Sequence, residues 1–346
     1  MNNKLNIAGF TEEERRIFIN FEQLYENWMS LEQKRLSDYN TSMHWKQVDN
    51  KNYLYEKNKA GIEKSKGRES EDTLKIYKIF NEEKNESESQ VNEAKKSLGE
   101  LIGQYRLLKL PTINSVAGQI LREFDKNELL GTQYLVVGTV AFSVYALHAS
   151  KKYAKEFIST LDFDLTWFDK ESVKNTPSGG LLRILRGVDK TFRMNHKKPY
   201  QALNQNGYEV ELLCAPSVFG KLQQKEKNFS PYPMLEQEWL RNGTPIRHIV
   251  LDTENAPTPI VAPDPRWMAV HKLWLSQKPE RAPNKKPKDL AQANSLLDLL
   301  TKELFLEYPL DSDFASDLPH ELSPLFDKWC QENSYLPGKT QPKMKW

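Results

Sequence analysis

Ser159-Thr160-Leu161-Asp162-Phe163-Asp164-Leu165-Thr166-Trp167 contains an apolar–polar alternation from Leu161 onward. A β-strand places successive side chains on opposite faces. Leu161, Phe163, Leu165 and Trp167 then share one face, and Asp162, Asp164 and Thr166 share the other. Two carboxylates two residues apart on one strand face repel each other by about 2–3 kcal/mol at an intermediate effective dielectric. Water, a cationic side chain or a divalent metal must offset that repulsion. The plainest version is a half-buried strand with a solvated polar face.

The flanking sequence points further. Upstream, Tyr134-Leu135-Val136-Val137-Gly138-Thr139 is an apolar run ending in Gly-Thr, and Val140, Phe142, Val144, Tyr145 and Leu147 predict an apolar helix after it. Gly138 and Thr139 therefore fall where a strand meets a helix N-terminus, and free amides with the helix dipole favour an anion there. Downstream, Tyr208-Glu209-Val210-Glu211-Leu212-Leu213 is a second alternating strand with acid on its polar face.

The chain has 346 residues, with 49 basic and 47 acidic side chains, so no global polyanion-binding signature is present. Cys214 and Cys330 give neither a disulfide framework nor a cysteine-based zinc site. The six histidines lack metal-ligand spacing and read as ordinary surface or packing residues. No apolar run reaches membrane-spanning length, which predicts a cytoplasmic protein without a membrane partner.

Three regions are expected, 1–110, 111–215 and 216–346. In the first, Thr11 and Glu14 predict a capped helix whose seam holds Phe18, Phe21, Tyr25 and Trp28. A small hairpin follows around Asp49–Asn52. Gly61 to Arg68 reads as a basic, glycine-bracketed loop, either a phosphate cradle through Lys64, Lys66 and Arg68 or a solvated surface loop. Thr73 to Leu110 predicts two helices broken near Asn81–Glu88.

In the middle region, Gly179-Gly180 opens an amphipathic helix with Leu181, Leu185, Val188 and Phe192 on one stripe and Arg183, Arg186, Lys190 and Arg193 on another. The last third predicts a strand pair at Arg247–Leu251 and Thr258–Val261, then a helix after Pro263-Asp264-Pro265. Lys278 to Lys288 reads as a basic, proline-broken loop, with Asp289 capping the next helix, and the tail lysines Lys339, Lys343 and Lys345 lie in a mobile end.

A Gly-Thr turn, an Asp-x-Asp strand and a later acidic strand, in that order, resemble the nucleotidyltransferase superfamily with the polymerase-beta-like fold. Trp45 to Leu54 with the Gly61–Gly67 loop, Val188-Asp189-Lys190-Thr191-Phe192, Pro263-Asp264-Pro265 through Trp274, and Lys288-Asp289-Leu290-Ala291-Gln292-Ala293 also resemble blocks of a bacterial family within it, so the resemblance runs from about Trp45 to Ala293. Gly-Thr stands where Gly-Ser or Gly-Gly is more frequent, the interval from Thr139 to Asp162 is long, and Glu211 stands where Asp is usual.

The resemblance implies an α+β fold, a small mixed sheet flanked by helices, with helical N- and C-terminal regions. It implies that Asp162, Asp164 and Glu211 are catalytic and hold two magnesium ions, with Glu209 as an alternative third acid. Gly138 and Thr139 would cradle the triphosphate, with Lys190, Arg183, Arg186 and Lys272 as further phosphate contacts. The implied chemistry is transfer of a nucleoside monophosphate from a nucleoside triphosphate, ATP among the candidates, to a hydroxyl. RNA or a tRNA end is the expected acceptor, with protein nucleotidylation (AMPylation-type), the toxin of a toxin–antitoxin pair, or a silent nucleotide-binding module as alternatives.

Overall fold

The computed structural model describes residues 7–108, 110–153, 162–168, 180–225 and 229–338, with Asp162 described by its backbone alone. Leu161, Gly179 and the tail lysines Lys339, Lys343 and Lys345 lie outside the described residues, as does most of the long interval before Asp162. The chain forms two compact units, one of Glu13–Lys109 and one of Met1–Glu12 with Leu110–Trp346.

β1 (Ile7–Gly9) belongs to the larger unit, and α1 (Glu12–Asp38) leads into the smaller one. There Phe18, Phe21 and Tyr25 are buried at helical spacing, and Phe21 meets Tyr105 at a centroid distance of 4.7 Å. β2 (Ser42–Val48) and β3 (Lys51–Lys57) form the expected hairpin. Asp49 and Asn50 both have positive φ, as a two-residue primed turn requires.

The basic segment that follows is not a loop. It is β4 (Glu63–Arg68), an edge strand antiparallel to β3, in which Lys66 pairs with Glu56 at 2.6 Å. Its residues Glu63-Lys64-Ser65-Lys66-Gly67-Arg68 include no apolar side chain, so no alternation betrays the strand. α2 (Glu71–Leu107) runs unbroken through the polar stretch where an interruption was expected. Glu and Lys are good helix formers, and polarity without Gly or Pro does not end a helix. Ser70 and Thr73 close a capping box at its start.

The larger unit continues with β5 (Thr112–Ile113), α3 (Ser115–Lys126), β6 (Tyr134–Val137), α4 (Ala141–His148), β7 (Lys151–Tyr153) and β8 (Asp162–Trp167). Then come α5 (Gly180–Val188), β9 (Arg193–Asn195), β10 (Lys198–Leu203), β11 (Glu209–Cys214), α6 (Pro216–Lys225) and β12 (Tyr232–Pro233). After two short 3₁₀ turns, β13 (Ile246–Asp252) and β14 (Pro257–Ala262) form a hairpin, followed by α7 (Pro265–Gln277), α8 (Lys286–Lys302), α9 (Ser312–Asp317) and α10 (Ser323–Glu332).

The central sheet is mixed, in the order β6-β8-β11-β10-β9, with β12 added beside the end of β11. β8 runs antiparallel to β6 and parallel to β11. Its apolar residues Phe163, Leu165 and Trp167 are fully buried, as the alternation predicts. Tyr134 links that core to α3, stacking on Phe124 at 4.8 Å and meeting Trp167 edge-on at 5.1 Å. The architecture is mixed α and β, with helices beside small sheets. Among the described residues, no helix is long and apolar enough to cross a membrane.

Candidate active site

The strand register assembles the acidic face. Asp164 lies opposite Val137 of β6 on one side and opposite Glu211 of β11 on the other. Asp162 stands opposite Glu209 in the same ladder. Because side chains alternate with period two, register positions 162, 164, 209 and 211 belong to one face of the sheet.

Gly138 follows β6 directly and has φ +72°, a conformation that glycine adopts without steric penalty. A Cβ at this position would collide with Asp164 Oδ2 and come within 3.2 Å of Asp164 Cγ, so the carboxylate lies directly against the glycine backbone. The turn leads through Thr139 into α4, where Ala141 to Leu147 are all buried. The expected strand–glycine–helix junction is thus present.

Across β11, Gln201 of β10 holds the acids. Its Nε2 donates to Glu209 Oε2 at 2.8 Å and to Glu211 Oε1 at 3.0 Å, while its Oε1 accepts from Asn195 Nδ2 at 2.6 Å. Gln201 itself is buried, while Glu209, Glu211 and Asn195 are half-buried. Neither Gln201 nor Asn195 stands out in the sequence, because their role exists only through pairing between strands.

Asp164, Glu209, Glu211, Gly138 and Thr139 line a cavity of about 410 Å³. Another part of its lining comes from α7, α8 and the segment between them. Lys272 Nζ donates to Asp289 Oδ1 at 2.9 Å, and Arg281 Nε donates to Asp289 Oδ2 at 2.7 Å. Asp289 is therefore not a cap: it lies within the first turn of α8 as a buried acceptor for two cations. Burial works against its charge, but Lys272 and Arg281 prevail and hold the carboxyl below its ordinary range. Lys272 is depressed by burial despite the nearby charges of Asp289 and Asp164. Asp289 thus bridges two basic side chains at the cavity wall.

Lys198, Lys285 and Lys288 add further cations to the lining. Arg183, Arg186 and Lys190 are exposed and are not among the described lining residues; Arg186 Nε donates to Phe192 O at 3.2 Å. The helix does not reach Phe192 and Arg193 as expected: it ends at Val188, Asp189 Oδ1 accepts from Thr191 N and Oγ1 to form a turn, and Arg193 opens β9. In the basic segment before α8, Lys278 is engaged by Glu236 at 3.2 Å and lies over Trp274.

His271 also lines the cavity, contrary to its reading as an ordinary histidine. Burial first, and Lys272 next, push it down to about 3, so its ring is neutral near physiological pH. Burial pushes Cys214, at the end of β11, up to about 12, which excludes it as a ready thiolate.

Among the described residues, no three His, Cys, Asp or Glu side chains converge closely enough to hold a metal ion. The Asp162 side chain lies outside that set. Asp164 and Glu211, with Glu209 nearby, offer carboxylate oxygens, the donor class that magnesium takes. The glycine turn against Asp164 leaves backbone where a side chain would otherwise intrude. By donor chemistry the residues fit a hard divalent cation.

A family model described as nucleotidyltransferase matches residues 115–318, more than half of the 346-residue chain. The matched span includes every residue named in the cavity lining. No curated protein and no solved structure gives a significant match.

Proposed function

The chain belongs to the nucleotidyltransferase family and is an enzyme that transfers nucleotidyl groups, and on that premise we propose that it moves a nucleoside monophosphate from a nucleoside triphosphate to a hydroxyl acceptor within the cavity between the acidic sheet face and α7–α8. We read its core as the polymerase-beta-like fold. The order of glycine turn, Asp-x-Asp strand and acidic strand on one mixed sheet supports that reading.

Asp162, Asp164 and Glu211 would hold magnesium. When bound, the metal supplies Lewis-acid activation of the acceptor hydroxyl and neutralises charge on the departing pyrophosphate. Gly138 lets a phosphate approach the backbone, and the Thr139 hydroxyl adds a donor. Lys272 and Arg281 supply fixed positive charge for the triphosphate in a setting poor in water, where such charge acts most strongly. Gln201 orients Glu211. Lys198, Lys285 and Lys288 draw the anionic substrate toward the opening. Arg183, Arg186 and Lys190 take no part in this assignment.

The observation that carries the reading is Asp164 lying against Gly138 and beside Glu211 in a cavity that Lys272 also lines. RNA is the acceptor class favoured by the basic residues Lys285 and Lys288. Incubation with each α-labelled triphosphate, magnesium and cell lysate should label one class of macromolecule. Asp164→Asn and Glu211→Gln should abolish labelling, while Arg186→Ala should retain it. Label on protein would move the acceptor to the nucleotidylation reading, and label unaffected by Asp164→Asn would sink the site assignment.

A further inference from the structure

Four buried polar atoms without a hydrogen-bond partner belong to three side chains that line this one cavity: Gln292 Nε2 and Oε1, Gln237 Oε1 and His271 Nδ1. Gln292 is fully buried, Gln237 is 3 % exposed and His271 is 6 % exposed. An unpaired buried polar atom has lost its bonds to water without replacement, so native proteins leave few of them, and those few call for an explanation. Several such atoms in one cavity mark it as built for something that completes their bonds.

The chemistry of the missing partner can be narrowed. A phosphate offers only acceptors and seeks cations, and Lys272 and Arg281 already provide these. Gln292 instead presents a donor and an acceptor side by side on one planar amide, the complement of a planar edge that carries both. Nucleobases carry such edges, and glutamine pairs with them in this bidentate manner. Leu213, Met234 and Leu275 line the same cavity and offer apolar surface for the faces of a ring. The amide atoms are closed off from water in the free chain, but the terminal glutamine torsion is soft and can turn them to a bound partner.

We infer that Gln292 reads the nucleobase of the triphosphate, with Gln237 and His271 as additional neutral polar contacts. This rests on the reading above that the cavity binds a nucleoside triphosphate. It assigns base selection to α8 and the 3₁₀ turn at Leu235–Gln237, separate from the acids of the sheet.

Calorimetric titration of the intact chain with ATP, GTP, CTP, UTP and inorganic tripolyphosphate, in magnesium, tests it. The unmodified protein should prefer one base at least about tenfold, the scale of one paired amide. Gln292→Leu should weaken that nucleotide about tenfold or more and level the four, while tripolyphosphate binding stays unchanged. The same variant should unfold at a higher temperature, because an unpaired buried amide has gone. Gln237→Leu should give a smaller levelling and serves as a second reporter should Gln292→Leu fold poorly.

Retention of the original base ranking in folded Gln292→Leu overturns the inference. So does a loss in that variant that falls on tripolyphosphate as much as on the nucleotides. Equal binding of all four nucleotides to the unmodified chain overturns base reading alone. Failure of the unmodified chain to bind any triphosphate or tripolyphosphate overturns the triphosphate reading and this inference with it.

Discussion

Gln201 donates to Glu211 across the β10–β11 ladder at 3.0 Å, and the same nitrogen also donates to Glu209 at 2.8 Å. One amide thus fixes two like-charged side chains on one strand face, and Asn195 fixes the amide in turn. Gln201→Leu should lower the transfer rate at least about tenfold and raise the magnesium concentration needed for half-maximal rate, as loss of a group that orients a metal ligand typically does. Gln201→Glu should be worse, since it replaces the donor with a third carboxylate. Initial rates across a magnesium titration check both. An unchanged magnesium dependence would remove Gln201 from any positioning role.

Gly138→Ala combines a strained positive φ with a collision against Asp164. The left-handed conformation costs a non-glycine residue about 1–2 kcal/mol, and the collision adds to that. Displacing Asp164 by about an ångström should cost activity about a hundredfold, well beyond what the stability loss explains. Urea unfolding alongside the labelling assay separates the two effects.

The buried cluster at α7–α8 predicts an asymmetry. Asp289→Asn leaves Lys272 buried beside Arg281 with its closest counter-charge gone, and should destabilise the chain by about 3–5 kcal/mol. Lys272→Met should cost less, because Asp289 keeps Arg281 at 2.7 Å. Chemical denaturation of both variants tests the order, and triphosphate titration of Lys272→Met should show weaker binding.

His271 has an ordinary value of 6.5 and is pushed down to about 3 in the fold. Between those values the unfolded chain takes up a proton that the folded chain refuses. Stability contributed by the neutral ring is therefore complete above about pH 6.5 and falls as the solution is acidified toward 3. Asp289, also depressed, adds a loss in the same direction at the acid end. Thermal unfolding at pH 7, 6 and 5 should show a falling midpoint, and His271→Asn should flatten the slope.

The alternation in β8 and β11 was readable because each strand buries one face and keeps acids on the other. The glycine turn was readable because a strand and an apolar helix flank it. Lys272 and Asp289 both fall in blocks that carry the resemblance, but the reading of Asp289 as a cap fails because local spacing says nothing about a lysine seventeen positions away. His271 and Gln292 fall in the same blocks without a role the sequence could assign, and nothing local marks Gln201 or Gln237. Their significance lies in what they bond, or fail to bond, across elements distant in the chain. The basic segment Glu63–Arg68 misled in the opposite direction, since an exposed edge strand has the composition of a loop.

Val210 and Leu212 of β11 are fully buried and alternate with Glu209 and Glu211, which face the cavity. Sliding this strand by one residue along β8 would drive Glu209 and Glu211 into hydrocarbon and turn both aliphatic side chains outward. The carboxylates proposed for chemistry thus also police assembly, because a misaligned ladder is penalised before any substrate arrives. Replacing them to silence the enzyme would loosen that safeguard, and the silenced chain would be freer to fold out of step.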